Sequence, residues 1–197
     1  MRSRTVSKRR HALALEKIER RGRGAALAGR HGGVELQRLG QHVVAVDAYA
    51  KATIQAFNVA TLDLDYRGLE ANQEAHAYFT LPSAAKILTF EPHMHASGVR
   101  MCVEAMWGST VETLNCTGYD HNWVRVYTYA DDATPLLPKG TILHVTGYSD
   151  NTPGNKNVVD PRNWSGLGHR SIDNMMFDII QGIYLTDDQF QRELSQR

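Results

Sequence analysis

Hydrophobic and polar residues alternate in short runs from Val43 onward, with the two-residue period of half-buried β-strands. Turn residues such as Gly108-Ser109 and Pro138-Lys139-Gly140 separate the runs. The pattern predicts strands at residues 43–46, 75–80, 87–95, 100–107, 110–117, 124–129, 142–149 and 175–185. Short strands at this regular spacing predict an all-β protein, a sandwich or a barrel, while the segment 48–62 fits both helix and strand.

The charge of the chain is divided unequally along its length. The first 40 residues carry nine Arg and two Lys against three Glu, a net charge of +8, and the remainder carries a net charge of −7. We therefore predict an Arg-rich, poorly ordered extension over residues 1–42, a connecting segment over 43–68 and a β-sandwich over 69–190. The extension has the charge to meet nucleic acid or an anionic membrane, but its glycines disfavour a continuous binding helix, so no specific nucleic-acid partner is predicted.

The composition is that of an ordinary globular protein, with 42% hydrophobic and 22% charged residues. No segment has the pattern of a secretory signal peptide, and no apolar run approaches the ~20 residues of a transmembrane helix. The residues themselves therefore predict no membrane span and leave the localisation open.

The two cysteines lie on neighbouring predicted strands. If the hairpin loop is the three residues 108–110, residues whose numbers sum to 218 face each other, and Cys102 then faces Cys116. A disulfide forms between them in an oxidising compartment, and in a reducing compartment they remain two half-buried thiols. The sequence thus predicts the pairing of the cysteines and not their redox state.

His93 and His95 are the clearest candidates for metal ligands. Two histidines at i and i+2 on a strand point to the same face, so their imidazoles form half of a metal site. A thioether as third ligand favours copper, because sulfur suits Cu(I) and imidazole accepts both copper oxidation states. A long irregular segment, 155–169, leads to Met175 and Met176, which point to opposite faces of a strand, so only one of them can reach the histidines.

A series of motifs in a fixed order extends this interpretation. The motifs are Glu91-Pro92-His93-Met94-His95-Ala96-Ser97-Gly98, Tyr119-Asp120-His121-Asn122-Trp123, Leu137-Pro138-Lys139-Gly140-Thr141, Tyr148-Ser149-Asp150-Asn151, Asp160-Pro161, Gly168 and Ser171-Ile172-Asp173-Asn174-Met175. Taken together, from about Leu69 to Leu185, they resemble the C-terminal domain of the copper type II, ascorbate-dependent monooxygenases. Peptidylglycine α-hydroxylating monooxygenase, dopamine β-monooxygenase and many bacterial relatives belong to that family.

The resemblance implies an antiparallel jelly-roll β-sandwich that holds one copper ion on His93, His95 and Met175. These residues are then both the metal ligands and the catalytic residues, dioxygen binds at the open copper position, and ascorbate is the expected reductant. Met176 is the reserve candidate for the sulfur ligand. The resemblance also implies a secreted or periplasmic protein. Residues that fix the histidine tautomers are expected among Asp173, Asn122 and Tyr148.

The chain departs from the family pattern at three points. Asn174 stands where the family has a glutamate, and Ser97 and Val99 stand where it has Arg and Lys. The full enzymes also hold an electron-transferring copper on three histidines of an N-terminal domain, whereas residues 1–68 contain only the widely spaced His11, His31 and His42. We therefore expect one of the two coppers here, with a partner domain, another chain or a reductant supplying the second electron.

Two functions follow from these residues. The first is a copper-binding monooxygenase domain, a fragment or subunit that forms the oxygen-activating half of a C–H hydroxylase. The alternative is a catalytically inactive copper-binding or structural β-sandwich module. A carbohydrate-binding sandwich has only its generic aromatic residues in its favour, namely Trp107, Trp123 and Trp164. The sequence does not indicate the substrate.

The remaining histidines of the β region are interpreted in other ways. His76 and His144 are expected on strands as surface residues or as residues with satisfied hydrogen bonds. His121 lies in a turn where the family has an aromatic residue, so stacking is expected of it. His169 is kept as a reserve metal ligand because it lies near the methionines.

Overall fold

The computed structural model of the protein describes residues 54–197. The predicted basic extension, the predicted strand at 43–46 and the histidines His11, His31 and His42 lie outside the described residues. Within them the chain forms ten β-strands, one 3-10 turn at Asp131–Ala133 and one α-helix, α1, at Asp187–Ser195. The strands make two antiparallel sheets, which confirms the predicted all-β sandwich.

Six strands form the first sheet. They are β1 (Gln55–Ala60), β3 (Ala84–Phe90), β4 (Pro92–Met94), β7 (Tyr127–Thr128), β8 (Leu136–Leu137) and β10 (Met176–Leu185). β10 is central, since β1 pairs with one of its edges and β3 and then β4 pair with the other. The single strand predicted over 87–95 is thus interrupted at Glu91, and β4 carries the first histidine of the candidate site.

Four strands form the second sheet. In spatial order they are β2 (Gln73–Thr80), β9 (Ile142–Ser149), β5 (Gly98–Trp107) and β6 (Thr110–Gly118). Alternation sets the faces: Leu143 and Val145 of β9 are buried in the core, whereas His144 between them is only partly buried. One face of this sheet therefore packs against the first sheet, and the other face mixes polar residues with exposed hydrophobic ones such as Val111 and Ile142.

The hairpin of β5 and β6 pairs Cys102 with Cys116, and the two form the predicted disulfide. The predicted three-residue loop was wrong, because the loop is the two residues Gly108-Ser109, with Gly108 at φ +55°. A β-bulge at Leu114 adds one residue to β6 between the loop and the cysteines. The extra residue restores the predicted register at the disulfide.

The sandwich extends beyond both predicted boundaries. β1 lies inside the segment interpreted as a connection, and its residues Phe57 and Val59 are buried in the core. At the other end, Thr186 begins α1 with a capping box, and Lys86 of β3 forms an ion pair with Glu193 of the helix at 3.2 Å. The boundary at residue 69 is therefore too late and the one at 190 too early. No helix among residues 54–197 is long and apolar enough to span a membrane.

Two methionines fill the space between the sheets beneath the candidate site. Met94 of β4 and Met176 of β10 are fully buried and face Gly147 of β9. A Cβ atom on Gly147 would lie 2.7 Å from Cγ of Met176 and 3.1 Å from Cε of Met94. Because real Cβ contacts are longer, a glycine at this position is what lets both methionines pack at the density of a protein interior.

Candidate metal centre

His93 and His95 lie beside each other at the end of β4. Met94 between them points into the core; His93 belongs to β4 and is half-buried, whereas His95 directly follows the strand and is buried. Their ring centroids are 5.5 Å apart, and the ring planes meet at 66°. Two imidazoles that bind one ion through bonds of about 2.0 Å have centroids roughly 4.5–6 Å apart, depending on the angle between the bonds. The pair is therefore spaced for binding to a common ion.

The pairing of β4 with β10 ends at Met94 and Met176, so His95 and Met175 are the next residues beyond the paired strands. Within the pairing Phe177 faces His93, and their ring centroids are 4.5 Å apart. Alternation along the chain predicts the same face for Met175 as for Phe177, and therefore as for His93. Met176 is 1% exposed and points into the core, whereas Met175 is half-buried. The two methionines thus differ in face in the way that alternation predicts.

A third imidazole, His121, approaches the pair from the turn after β6. Its ring packs edge-on against His95, with the centroids 6.5 Å apart. The Nδ1 atoms of His95 and His121 are both buried, and neither has a hydrogen-bond partner in the described part of the chain. The 6.5 Å separation exceeds the distance between two rings on one ion, so His121 lines the site without completing it. Stacking was expected of His121, whereas the structure gives it an edge-on contact with the imidazole of His95.

The surroundings favour the neutral, metal-binding form of the two imidazoles. Burial lowers the pKa of His93, and the neighbouring imidazoles of His95 and His121 lower it further. Burial also lowers the pKa of His95, while hydrogen bonding to the backbone of Asp173 acts in the opposite direction. Because an imidazole must lose its proton before it binds a metal, the lowered pKa values of both histidines favour the metal-binding form.

Hydrogen bonds from side chains fix the backbone that carries the histidines. The hydroxyl of Tyr119 donates to the carbonyl of Met94. The amide of Asn155 donates to the carbonyl of Ala96 at 3.0 Å, and the backbone N–H of Ala96 donates to the carbonyl of Ser171 at 3.2 Å. The long segment before β10 is therefore bonded to the strand end that presents the imidazoles.

Asn174 anchors the residue that precedes Met175. Its side chain is buried, its Oδ1 accepts a hydrogen bond from the hydroxyl of Ser97 at 2.6 Å, and its Nδ2 donates to the carbonyl of Ser165 at 2.6 Å. Ser97 and Asn174 are two of the positions at which the chain departs from the family pattern, and they contact each other directly. The two side chains form a neutral hydrogen-bonded pair.

Of the three residues expected to support the histidines, Asp173 lies near them. Its carboxylate is paired with Arg170 at 2.6 Å, which lowers the pKa of Asp173, and the backbone and charge of Asp173 both act on His95. Asn122 instead bonds to another asparagine, and Tyr148 lies on the outer face of the second sheet. The reserve ligand His169 is exposed.

A cavity of about 410 Å³ lies beside the segment that leads to Met175. Ala96, Ser97, Asp173 and Asn174 belong to its lining, together with the exposed Trp164. None of the three candidate ligands lines it, so the cavity adjoins the site without opening onto the ligands. The tryptophans have partners of their own: Trp107 packs against the core, Trp123 faces Arg125 and Trp164 bonds to Asp65.

A buried carboxyl group, which the sequence pattern did not predict, lies beneath the site. Asp178 of β10 points into the core between Met176 and Ile180, and its Oδ1 accepts a hydrogen bond from the backbone of Glu91 at 3.1 Å. Its Oδ2 has no partner among residues 54–197. Burial raises the pKa of Asp178 to about 8, and the nearby charge of Glu91 acts in the same direction. The sequence does contain a signal for it, because Asp178 is an acidic residue at a position where the alternation along the strand predicts a buried side chain.

Within residues 54–197 no group of three or more His, Cys, Asp or Glu side chains is arranged to hold a metal ion. A metal centre in this part of the chain therefore needs a ligand of another kind, and the thioether of Met175 is one. No protein-family model matches the sequence, and no curated protein is significantly similar to it. The likeness to the copper monooxygenases rests on the ordered motifs alone.

Proposed function

We propose that the protein is a copper-binding monooxygenase domain in which His93, His95 and Met175 hold a single copper ion. The spacing of the two imidazoles carries the proposal, since their centroids are 5.5 Å apart, and Met175 directly precedes the strand that pairs with β4. Two imidazoles and a neutral thioether form a donor set that suits Cu(I) better than zinc. The motif order supports the same assignment, to the oxygen-activating half of an ascorbate-dependent C–H hydroxylase.

Copper bound by these residues supplies one-electron redox chemistry toward dioxygen. The contribution of the chain itself is to position and deprotonate the ligands. The side chain of Met94 packs in the core, and the hydroxyl of Tyr119 donates a hydrogen bond to the carbonyl of Met94. These two contacts fix the backbone between the imidazoles of His93 and His95. Burial lowers the pKa of both imidazoles and so favours their neutral form, and three protein ligands would leave further positions of the ion open to dioxygen or solvent.

A catalytically inactive copper-binding or structural sandwich is the alternative, and one observation favours it. Hydroxylation of a C–H bond consumes dioxygen, two electrons and two protons, and a single Cu(I) ion supplies one electron. The described residues contain no three-histidine group for a second copper. Turnover therefore depends on direct reduction by ascorbate or on a partner domain or chain that holds the second copper.

Copper titration of the full chain, followed by X-ray absorption of the Cu(I) form, tests the ligand set. We expect one ion with one sulfur neighbour. Met175→Leu keeps the side-chain volume and removes the sulfur signal, while the matched variant Met176→Leu retains it. His93→Ala abolishes stoichiometric binding. A sulfur signal that survives Met175→Leu, or binding unchanged by His93→Ala, contradicts the proposal.

Oxygen uptake in the presence of ascorbate separates the two functions. A monooxygenase domain consumes oxygen with copper and ascorbate at a rate above that of free copper, and Met175→Leu returns the rate to that background. Tight copper binding without oxygen uptake above the background identifies the inactive module instead.

A further inference from the structure

The cavity of about 410 Å³ beside the segment that leads into β10 has the size of a small-molecule site. Proteins bind small organic molecules in concave sites of about 300–1,000 Å³. The lining comes from the strand end after β4 and from the long segment between β9 and β10. None of the three proposed copper ligands belongs to it. A ligand in this cavity is therefore independent of the copper assignment.

Large apolar side chains stand exposed around the cavity. Four of them line it, namely Val159, Trp164, Leu167 and Ile172, and each is exposed to solvent. Single exposed apolar residues are ordinary, whereas several around one concave site leave a larger apolar surface in water. A ligand that covers this surface removes it from water, which favours binding roughly in proportion to the apolar area covered.

The indole of Trp164 is held from two sides. Its Nε1–H donates a hydrogen bond to the carboxylate of Asp65, and its six-membered ring lies against Gly166. A Cβ atom at Gly166 would be 2.7 Å from Cη2 of the ring, so an added methyl group there displaces the indole. The side chain is nevertheless 67% exposed. Much of the ring is thus presented in one orientation, and little side-chain freedom is lost when a ligand packs on it.

The backbone around Trp164 is also bonded to its surroundings. Ser165 and Tyr66 exchange two backbone hydrogen bonds of 3.3 Å, and the amide of Asn174 donates to the carbonyl of Ser165 at 2.6 Å. The backbone N–H of Leu69 donates to the carbonyl of Pro161 at 2.7 Å. The wall of the cavity is therefore formed before a ligand binds, as is usual for small-molecule sites.

The charged side chains of the lining are all paired. They are Asp160, Arg170 and Asp173. Arg162 forms an ion pair with Asp160 at 2.8 Å, and Arg170 forms one with Asp173 at 2.6 Å. A charged ligand would therefore give up hydration without meeting an unpaired opposite charge in the lining. The cavity favours an uncharged ligand.

An amide group of the lining is available to a polar group of a ligand. The buried amides of Asn151 and Asn174 donate to the backbone carbonyls of Arg67 and Ser165. The side chain of Asn163 also lines the cavity, but it is exposed and makes no hydrogen bond within residues 54–197. Its amide can both donate to and accept from a hydroxyl group.

We propose that the cavity binds a small neutral aromatic molecule of the phenol class, with its ring packed against Trp164 and Ile172 and its hydroxyl bonded to Asn163. Aromatic rings pack on an indole in offset-stacked or edge-on arrangements. A sugar ring carries hydroxyl groups on most of its carbons, and these would lose water against the aliphatic side chains of the lining. The aliphatic side chains therefore favour an aromatic ring over a sugar.

Titration with p-cresol, followed by NMR of the isotope-labelled full chain, tests the site. A chelator keeps metal ions out, so the result does not depend on copper. The chain has three tryptophans, and the indole N–H resonance that is lost in Trp164→Ala belongs to Trp164. We expect a saturable shift of this resonance, with a dissociation constant of about 1 mM or below. The indoles of Trp107 and Trp123, which do not line the cavity, are expected to shift little.

The affinities of the variants are measured from the methyl resonance of p-cresol itself. Trp164→Ala and Ile172→Ser are each expected to weaken binding by about 10-fold, because apolar contact area is lost. Trp123→Ala removes an indole of similar exposure, 62%, outside the cavity and leaves binding unchanged. Benzoate and benzylammonium, which are charged and of similar size, are expected to bind at least about 10-fold more weakly than p-cresol. Thermal unfolding checks that the variants are folded.

The proposal is overturned by the absence of saturable binding, or by binding unchanged in both Trp164→Ala and Ile172→Ser. Equal shifts of the Trp123 and Trp164 indoles also overturn it, because they indicate binding to any exposed indole. Tighter binding of methyl glucoside than of p-cresol overturns it in favour of a sugar. A failed copper proposal is recognised separately, by the absence of the sulfur signal from Met175.

Discussion

Among the individual residues, Asp178 keeps its proton at neutral pH, because burial raises its pKa to about 8. In the unfolded chain the same carboxyl ionises near pH 4. The folded state therefore holds one more proton than the unfolded state between these pH values. Linkage then makes the free energy of unfolding fall as the pH rises from about 4 to about 8, so the stabilising contribution is present below pH 4 and lost as the pH passes 8.

Asp178→Asn removes this linkage. The variant is expected to gain stability relative to the unmodified protein on going from pH 5 to pH 8, because its side chain stays neutral at both. Urea unfolding at the two pH values measures the difference. Glu112→Gln, at an exposed position of β6, serves as the control and leaves the pH dependence unchanged. An identical pH dependence in Asp178→Asn and the unmodified protein would show that Asp178 is ionised in the fold.

The adjacent residues Met175 and Met176 differ sharply in what they contact, although their side chains are the same. Met176→Ala opens a cavity in a packed core and is expected to lower the free energy of unfolding by about 2–5 kcal/mol. Met175→Ala, at a half-buried position on the outer face, is expected to cost below about 1 kcal/mol without metal. Denaturant unfolding in a chelator compares the two. Equal losses would mean that the faces are assigned wrongly.

At the scale of the elements, alternation along each strand could be read from the sequence, and pairing between distant strands could not. Alternation placed His93 and His95 on one face because it depends only on neighbouring residues. The pairing of Phe177 with His93 joins strands some eighty residues apart, and no local pattern fixes that register. The bulge at Leu114 was missed for the same reason, since an unpaired residue looks like any other in a strand.

The segment that leads into β10 depends on Asn174. Asn174→Ala removes one hydrogen bond of the Ser97 hydroxyl and one of the Ser165 carbonyl, and each group keeps another partner. Two lost hydrogen bonds are expected to lower the free energy of unfolding by about 1–3 kcal/mol. Because Met175 follows directly, we also expect copper affinity to fall by about 10–100-fold. Unfolding and copper titration measure both effects, with the exposed Asn163→Ala as the control. Copper affinity unchanged by Asn174→Ala would contradict a positioning role for this segment.

The hairpin of β5 and β6 depends on its disulfide. Replacing Cys102 and Cys116 by alanine releases a loop of 14 residues, and closing a loop of about that length is worth roughly 3 kcal/mol. A loss of this size is expected in urea unfolding, and dithiothreitol is expected to cause a similar loss in the unmodified protein. The double variant should not respond to dithiothreitol. No difference between oxidised and reduced protein would mean that the bridge adds no stability.

For the molecule as a whole, the composition and the spacing of the strands predicted a sandwich. They did not predict where the sandwich begins and ends, or which residues of its two sheets contact each other. β1 was ambiguous because its residues fit helix and strand alike, and α1 was not predicted at all. The contact between His76 and His144 on the outer face of the second sheet could likewise not be predicted from the sequence. His76 and His144 looked like isolated surface residues, and only the arrangement of β2, β9 and β5 brings them together with two glutamates.

The contact between the sheets links the core to the proposed copper site. Gly147 of the second sheet faces Met94 and Met176, and each of these methionines is the sequence neighbour of a proposed ligand. A Cβ atom at Gly147 pushes both of them outward and shifts the strands that present the ligands. We therefore expect Gly147→Ala to lower the free energy of unfolding by about 1–3 kcal/mol and to weaken copper binding.

Gly118→Ala is the matched control for this change, because an added Cβ atom there lies 4.0 Å from the carbonyl oxygen of Val99, an ordinary contact distance. It is expected to leave both stability and copper affinity nearly unchanged. Urea unfolding of the metal-free protein and copper titration give the two quantities for each variant. If Gly147→Ala destabilises the fold while copper affinity stays the same, the methionines serve only to fill the core. If both quantities fall together, the packing between the sheets sets the position of the ligands, since no part of Gly147 itself reaches the copper site.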